Sequence, residues 1–373
     1  MATYRIRPCA RLSGEITVHS AKNAVLPLMC GALLTRETVT IEQIPALTDV
    51  KTLTDILRDC GVLMHADQAE KLLTMTADSP RSPRREDLLS RMRASVLVMG
   101  PLLARTGYAR VALPGGCAIG QRPIDLHLKG MEALGAHVEQ TPGFVTLRGK
   151  LRGGNVYLDF PSVGATENIL MAAVLLPGIS VIHNAAREPE IVDLANFINA
   201  MGGNVRGAGS AVMTIEGVKH LHGARWTPMP DRIVAGTLLA AGAITGGTIE
   251  LTRAPVQALL AVNAKLREMG CDVREEEKRV ILTAPERLTA FAQLQTQPYP
   301  GFPTDMQVQM LALLSVSEGT GVVVENVFEN RFTHAGDLNR MGARILCSGR
   351  TAVVRGVPEP VSYTHLRAHE TSQ

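Results

Sequence analysis

The chain has 373 residues, room for two domains, and its 46% hydrophobic and 20% charged content marks a globular protein rather than a disordered one. Its 38 basic and 35 acidic residues leave a net charge of +3, and only 3% are aromatic. That balance excludes a polyanion binder with a base-stacking platform, so no nucleic-acid partner is expected. The six cysteines, at 9, 30, 60, 117, 271 and 347, form no C-x-x-C pair. Neither a metal site nor a disulfide framework is indicated, and reduced thiols point to the cytoplasm. No apolar run is long enough to cross a bilayer, and no cofactor or protein partner is indicated.

Taken in chain order, the strand-like run Arg11–Val18 leads into His19-Ser20-Ala21-Lys22-Asn23-Ala24, which opens an apolar helix. A lysine at a helix start works against the macrodipole unless it serves a bound anion. Arg93 stands at the same choice, solvated cap or anion clamp, before the apolar run Val96–Leu103. Next comes Leu113-Pro114-Gly115-Gly116-Cys117-Ala118-Ile119-Gly120-Gln121-Arg122-Pro123. Its glycines leave the thiol uncovered, and a guanidinium five residues on favours the thiolate, so Cys117 reads as reactive. Ser162, in Phe160-Pro161-Ser162-Val163-Gly164-Ala165-Thr166, reads as the cap of the apolar helix that follows, whose first amides could also cradle a phosphate. Asp305 opens another helix and reads either as a cap or as a base for a hydroxyl proton. Arg331, in Glu325-Asn326-Val327-Phe328-Glu329-Asn330-Arg331-Phe332, is by default a surface charge.

One pattern recurs along the chain: an amphipathic helix, a glycine, then a short strand. The glycines are Gly61, Gly135, Gly202, Gly270 and Gly342, at steps of 74, 67, 68 and 72 residues. Each should close its helix in a left-handed cap and lead into a hairpin, giving β-α-β-α-β-β units. Three units fall between Val25 and Thr227 and two follow Pro228, with a further step falling beyond Gln373. The run Arg11–Val18 lies outside the first unit and is assigned to the later domain.

Together these segments resemble the enolpyruvyl transferases. The matching pieces are SAKNA (20–24), MRAS (92–95), PGGCAIGQRPIDLH (114–127), PSVGATEN (161–168), PDRI (230–233), FPTDMQ (302–307) and ENRF (329–332). They run in family order over residues 1–357. The resemblance implies an α/β (α+β) fold: a two-domain inside-out α/β barrel of repeated units, three per complete domain, with a cleft between the domains. One domain would combine residues 1–20 with 230–357 and lack its third unit. The other would span 21–229, and residues 358–373 would be a tail unlike the family on a C-terminally truncated member.

The resemblance further implies enolpyruvyl transfer from phosphoenolpyruvate to the 3-hydroxyl of UDP-N-acetylglucosamine, through addition and elimination of phosphate. Lys22, Arg93 and Arg122 would bind the phosphate and carboxylate of phosphoenolpyruvate. Cys117, the site the epoxide fosfomycin would alkylate, would act as general acid or adduct former, and Asp305 would accept the sugar hydroxyl proton. Asn23, Arg122, Pro123, Ile124, Asp125, Leu126, Ser162, Val163, Gly164 and Val327 would hold the UDP-sugar, and Arg331 would support the site. Converging cations suit a substrate carrying both a carboxylate and a phosphate. Two alternatives stand beside this reading: transfer to shikimate 3-phosphate, and a non-catalytic fragment that binds a UDP-sugar.

Overall fold

A computed structural model describes residues 11–85, 92–113 and 124–358, with backbone alone at 93 and 94. The described residues fall into two compact units, one running from His19 to Met229 and the other taking the residues up to Val18 and from Pro230 on. Each unit has its own hydrophobic core.

The 19–229 unit contains three repeats. The first has helix α1 (Lys22–Gly31), strand Val39–Ile41, helix α2 (Thr48–Asp59) and the hairpin Leu63–Asp67/Leu72–Thr76. Its sheet is completed by Arg225–Trp226, which pairs parallel with Thr40 and Ile41. The second has a 3-10 turn (Arg93–Val98), α3 (Met99–Thr106), strand Tyr108–Ala112, α4 (Asp125–Ala133) and the hairpin His137–Thr141/Phe144–Arg148. The third runs from strand Asn155–Tyr157 through α5 (Val163–Ala173), strand Ile179–His183 and α6 (Pro189–Ala200) to Asn204–Arg206/Val212–Glu216.

The other unit contains two repeats among the described residues. Strand Gly14–Thr17 pairs parallel with Thr248–Thr252 and so joins α7 (Arg232–Ile244), α8 (Val256–Glu268) and the hairpin Asp272–Glu276/Arg279–Thr283. Strand Gln293–Gln295, a 3-10 turn (Thr304–Met306), α9 (Gln307–Val316), strand Thr320–Val324, α10 (Ala335–Arg340) and Arg344–Ser348/Thr351–Arg355 make the last repeat.

The five repeat glycines have φ of 91°, 97°, 92°, 93° and 92°, the left-handed cap the spacing predicts. The following hairpins alternate inward and outward residues: Ile345 and Val354 face the core as a pair, while Leu346 and Val353 face out.

In each unit one helix is apolar on nearly all sides, the pattern of a helix enclosed by others. In α5 every residue from Ala165 to Ala173 is buried. In α9, Met310, Leu311, Leu313 and Leu314 are buried together with Gln307 and Ser315. Close approach to α5 requires glycine: a Cβ on Gly100 of α3 would lie 2.2 Å from the Asn168 carbonyl oxygen.

Candidate active site

In the 230–358 unit, strand Thr320–Val324 ends in Glu325, whose side chain is fully buried. A buried carboxylate is tolerable only when donors surround it. Four do here. Thr296 Oγ1 donates to Oε1 and Thr304 Oγ1 to Oε2, both at 2.8 Å. The Val327 and Phe328 amides donate to Oε1 at 2.8 and 3.0 Å. Glu325 thereby ties together the strand after Leu294, the turn at Thr304 and the loop that carries Arg331.

Asp305 follows Thr304 in the 3-10 turn. The cap positions of the turn and of α9 are held by Pro303 and Met306, not by Asp305. Its Oδ1 accepts instead from Arg331 Nη2 at 2.6 Å. Arg331 is only 13% exposed and lies 5.2 Å from the Phe328 ring centroid, so it is not a surface charge, whereas Asp305 is 42% exposed. His334, one turn further along, is pushed down to about 4, first by burial and then by the Arg331 charge. Asp305, Val327 and Arg331 thus share one locality, organised by a residue, Glu325, that sequence reasoning did not single out. The only signal available was an acidic residue inside an apolar strand end.

In the 19–229 unit, Lys22 opens α1 and its Nζ lies 3.1 Å from Asp49 Oδ2, which offsets the unfavourable position at a helix start. Asn23 is exposed beside it. Ser162 caps α5 as its position predicts, accepting from the Ala165 amide at 3.4 Å. Val163 and Gly164 form the first turn, half-buried. Gly164 packs over His127, and a Cβ there would lie 3.2 Å from His127 Cε1.

His127 belongs to α4, just after Ile124 (buried), Asp125 (exposed) and Leu126 (half-buried). Its Nδ1 lies 3.0 Å from Asn168 Nδ2, which also donates to the Val96 carbonyl at 2.8 Å, while Asn168 Oδ1 accepts from the Gly100 amide at 2.6 Å. This buried network links the Ser162–Gly164 turn to the segment 124–126 and to the chain after Arg93. Cys117, Arg122 and Pro123 lie outside the described residues, as does the side chain of Arg93.

Burial disfavours the thiolate form of the described cysteines. Burial pushes Cys30 well up, helped by Cys60 and Glu167; it raises Cys60 to about 12 and Cys271 to about 11, and lifts Cys347 as well. Glu167 on α5 is likewise pushed well above the carboxylate range, by burial and then by Glu190 and Glu188. Among the described residues, no cluster of three His, Cys, Asp or Glu side chains could hold a metal, and no helix is long and apolar enough to cross a membrane.

The chain matches the profile of EPSP synthase (3-phosphoshikimate 1-carboxyvinyltransferase) over residues 6–367, past Val357. Among curated relatives, UDP-N-acetylglucosamine 1-carboxyvinyltransferase 1 of Caldanaerobacter subterraneus subsp. tengcongensis is 48% identical, over 96% of this chain and 86% of the relative. UDP-N-acetylglucosamine 1-carboxyvinyltransferase 2 of Carboxydothermus hydrogenoformans is 49% identical, over 99% of this chain and 89% of the relative. Among solved structures, the enolpyruvyl transferase NikO from Streptomyces tendae superposes with a TM-score of 0.84 at 22% identity, covering 95% of this chain and 84% of that one. EPSP synthase from Acinetobacter baumannii gives 0.70 at 19%, covering 93% and 82%; at such identities the likeness concerns the fold alone. With its repeats and these relatives in agreement, the chain belongs to the EPSP synthase family of enolpyruvyl transferases.

Proposed function

We propose that this protein transfers the enolpyruvyl group of phosphoenolpyruvate to the 3-hydroxyl of UDP-N-acetylglucosamine, releasing phosphate. The observation that carries the reading is near-50% identity, over nearly the whole chain, to relatives bearing that activity's name. The geometry at Asp305 supports it: a half-exposed carboxylate held by a largely covered arginine is suited to accept a hydroxyl proton at a defined place.

In this reading Asp305 takes the proton from the sugar 3-hydroxyl as its oxygen bonds to C2 of phosphoenolpyruvate. Cys117 delivers a proton to C3, and a tetrahedral adduct forms. The Cys117 thiolate then takes a proton back from C3, which re-forms the double bond as the C2–O bond to phosphate breaks and inorganic phosphate leaves. Lys22, Arg93 and Arg122 take the phosphate and carboxylate charges, which are most concentrated in the adduct. Asn23, Pro123, Ile124, Asp125, Leu126, Ser162, Val163, Gly164 and Val327 hold the UDP-sugar. The product would enter peptidoglycan precursor synthesis in the cytoplasm.

Phosphate release, measured with phosphoenolpyruvate and either UDP-N-acetylglucosamine or shikimate 3-phosphate, tests the reading. Release with the UDP-sugar alone is expected. Release with shikimate 3-phosphate alone would transfer the assignment to that acceptor. Calorimetric binding of the UDP-sugar without release would leave a binding protein.

A further inference from the structure

The repeats offer an internal comparison. In the four whose described sheet includes a parallel first strand, the residue after the central strand faces the residue that follows that first strand. In the third repeat this is Asn184, with φ of 56°, donating to the Leu158 carbonyl at 2.8 Å. In the fourth it is Arg253, with φ of 52°, donating to the Val18 carbonyl at 3.4 Å. Both use a donor to close a corner of the sheet.

The fifth repeat reverses the polarity. Glu325 occupies the place of the donor, and Thr296, following strand Gln293–Gln295, supplies a hydroxyl to it. The first repeat uses the same pair, Thr227 donating to Glu42, but Glu42 also pairs with Arg225 and remains partly open to solvent. Of the two corner carboxylates among the described residues, Glu325 is the one that reaches beyond its own corner. Its second oxygen accepts from Thr304, and Oε1 also takes the Val327 and Phe328 amides. A corner that needs closing would be satisfied by Thr296 alone. The additional bonds fix the residue before Asp305 and the loop leading to Arg331, the two partners of the 2.6 Å ion pair.

We propose that Glu325 is a positioning residue for the transfer: it acts through Thr304 and the 327–328 amides to hold Asp305 against Arg331. This rests on the reading of Asp305 as the group that takes the sugar hydroxyl proton.

The test uses the full chain and the variants Glu325→Gln, Thr304→Val, Thr304→Ser and Glu42→Gln. Glu325→Gln should lower kcat by about 10²-fold, the effect of a displacement near 1 Å at a reacting group. KM for phosphoenolpyruvate should stay unchanged. Thr304→Val should lower kcat in the same way but less, Thr304→Ser should recover most of it, and Glu42→Gln, the same pair away from Asp305, should turn over normally. Crystal structures of Glu325→Gln and Thr304→Val should show the Asp305–Arg331 pair separated. Variants with the pair intact would overturn the proposal, and so would folded variants with full kcat. Should the unchanged protein release no phosphate with either acceptor, the functional reading fails, while the crystal structures still decide whether Glu325 sets the pair.

Discussion

Asn168→Ala is the sharpest perturbation the structure offers. Asn168 is fully buried on α5, and its amide spans the Gly100 amide, the Val96 carbonyl and His127. Truncation leaves the Gly100 N–H without the acceptor it now has at 2.6 Å, a loss of about 1–3 kcal/mol. Losing the bond to Val96 adds about 1 kcal/mol, and the small void somewhat more. The total of about 3–5 kcal/mol is a large share of the ~5–15 kcal/mol that stabilises a domain. The assay is built into the unit: Trp226, the single tryptophan, lies 6.0 Å from Phe197 and bonds Asp193, so its fluorescence reports on this unit alone. Urea titration should show an earlier midpoint at unchanged slope. Because the His127 ring underlies Gly164, UDP-sugar binding should weaken as well. A loss below about 1 kcal/mol would show that the network does not hold α5 to the chain after Arg93.

Four further outcomes are expected. Asp305→Ala should lower kcat for phosphate release by about 10²–10⁴-fold, whereas Lys22→Ala should chiefly raise KM for phosphoenolpyruvate; near-normal turnover in Asp305→Ala would remove the proton-acceptor role. Alkylation of the native protein should map by mass spectrometry to Cys117, with Cys30, Cys60 and Cys271 reacting only on unfolding, since burial holds their thiols protonated. Glu167, raised in the folded state above its unfolded value of about 4.3, makes the 19–229 unit less stable as pH rises above that value. Glu167→Gln should flatten this slope in Trp226 melts. His334, depressed to about 4 when folded, contributes stability that is present above about pH 6.5 and lost as pH falls towards 4, which amide exchange in α9 should register and His334→Gln should abolish.

The repeat architecture was legible because its signal is local. A glycine that ends a helix carries its own conformational preference, and all five repeat glycines adopt it. Ser162 at the start of α5 was readable for the same reason. The supports of the candidate site were not. The four donors to Glu325 come from positions 296, 304, 327 and 328, and those around Asn168 from positions up to 72 residues away. No periodicity or spacing announces such convergence, since only the folded topology brings the groups together. Sequence alone could offer Asp305 as cap or base and Arg331 as a surface charge; the ion pair between them required the turn and the loop in place.

The parallel pairing of Gly14–Thr17 with Ile249–Thr252 has a consequence in time. The partners are 235 residues apart, as Glu15 and Glu250 show. At about 5–20 residues per second, translation needs roughly 12–50 s to supply the second strand after the first has emerged. Throughout that interval Glu15 and Ile16 belong to a strand with an unfilled edge, the condition under which strands pair with the wrong neighbour. The intervening unit is closed by its own last strand, Arg225–Trp226, and can finish before the wait ends. The order of assembly is thus written into the chain: the inserted body first, the body that encloses it in sequence last.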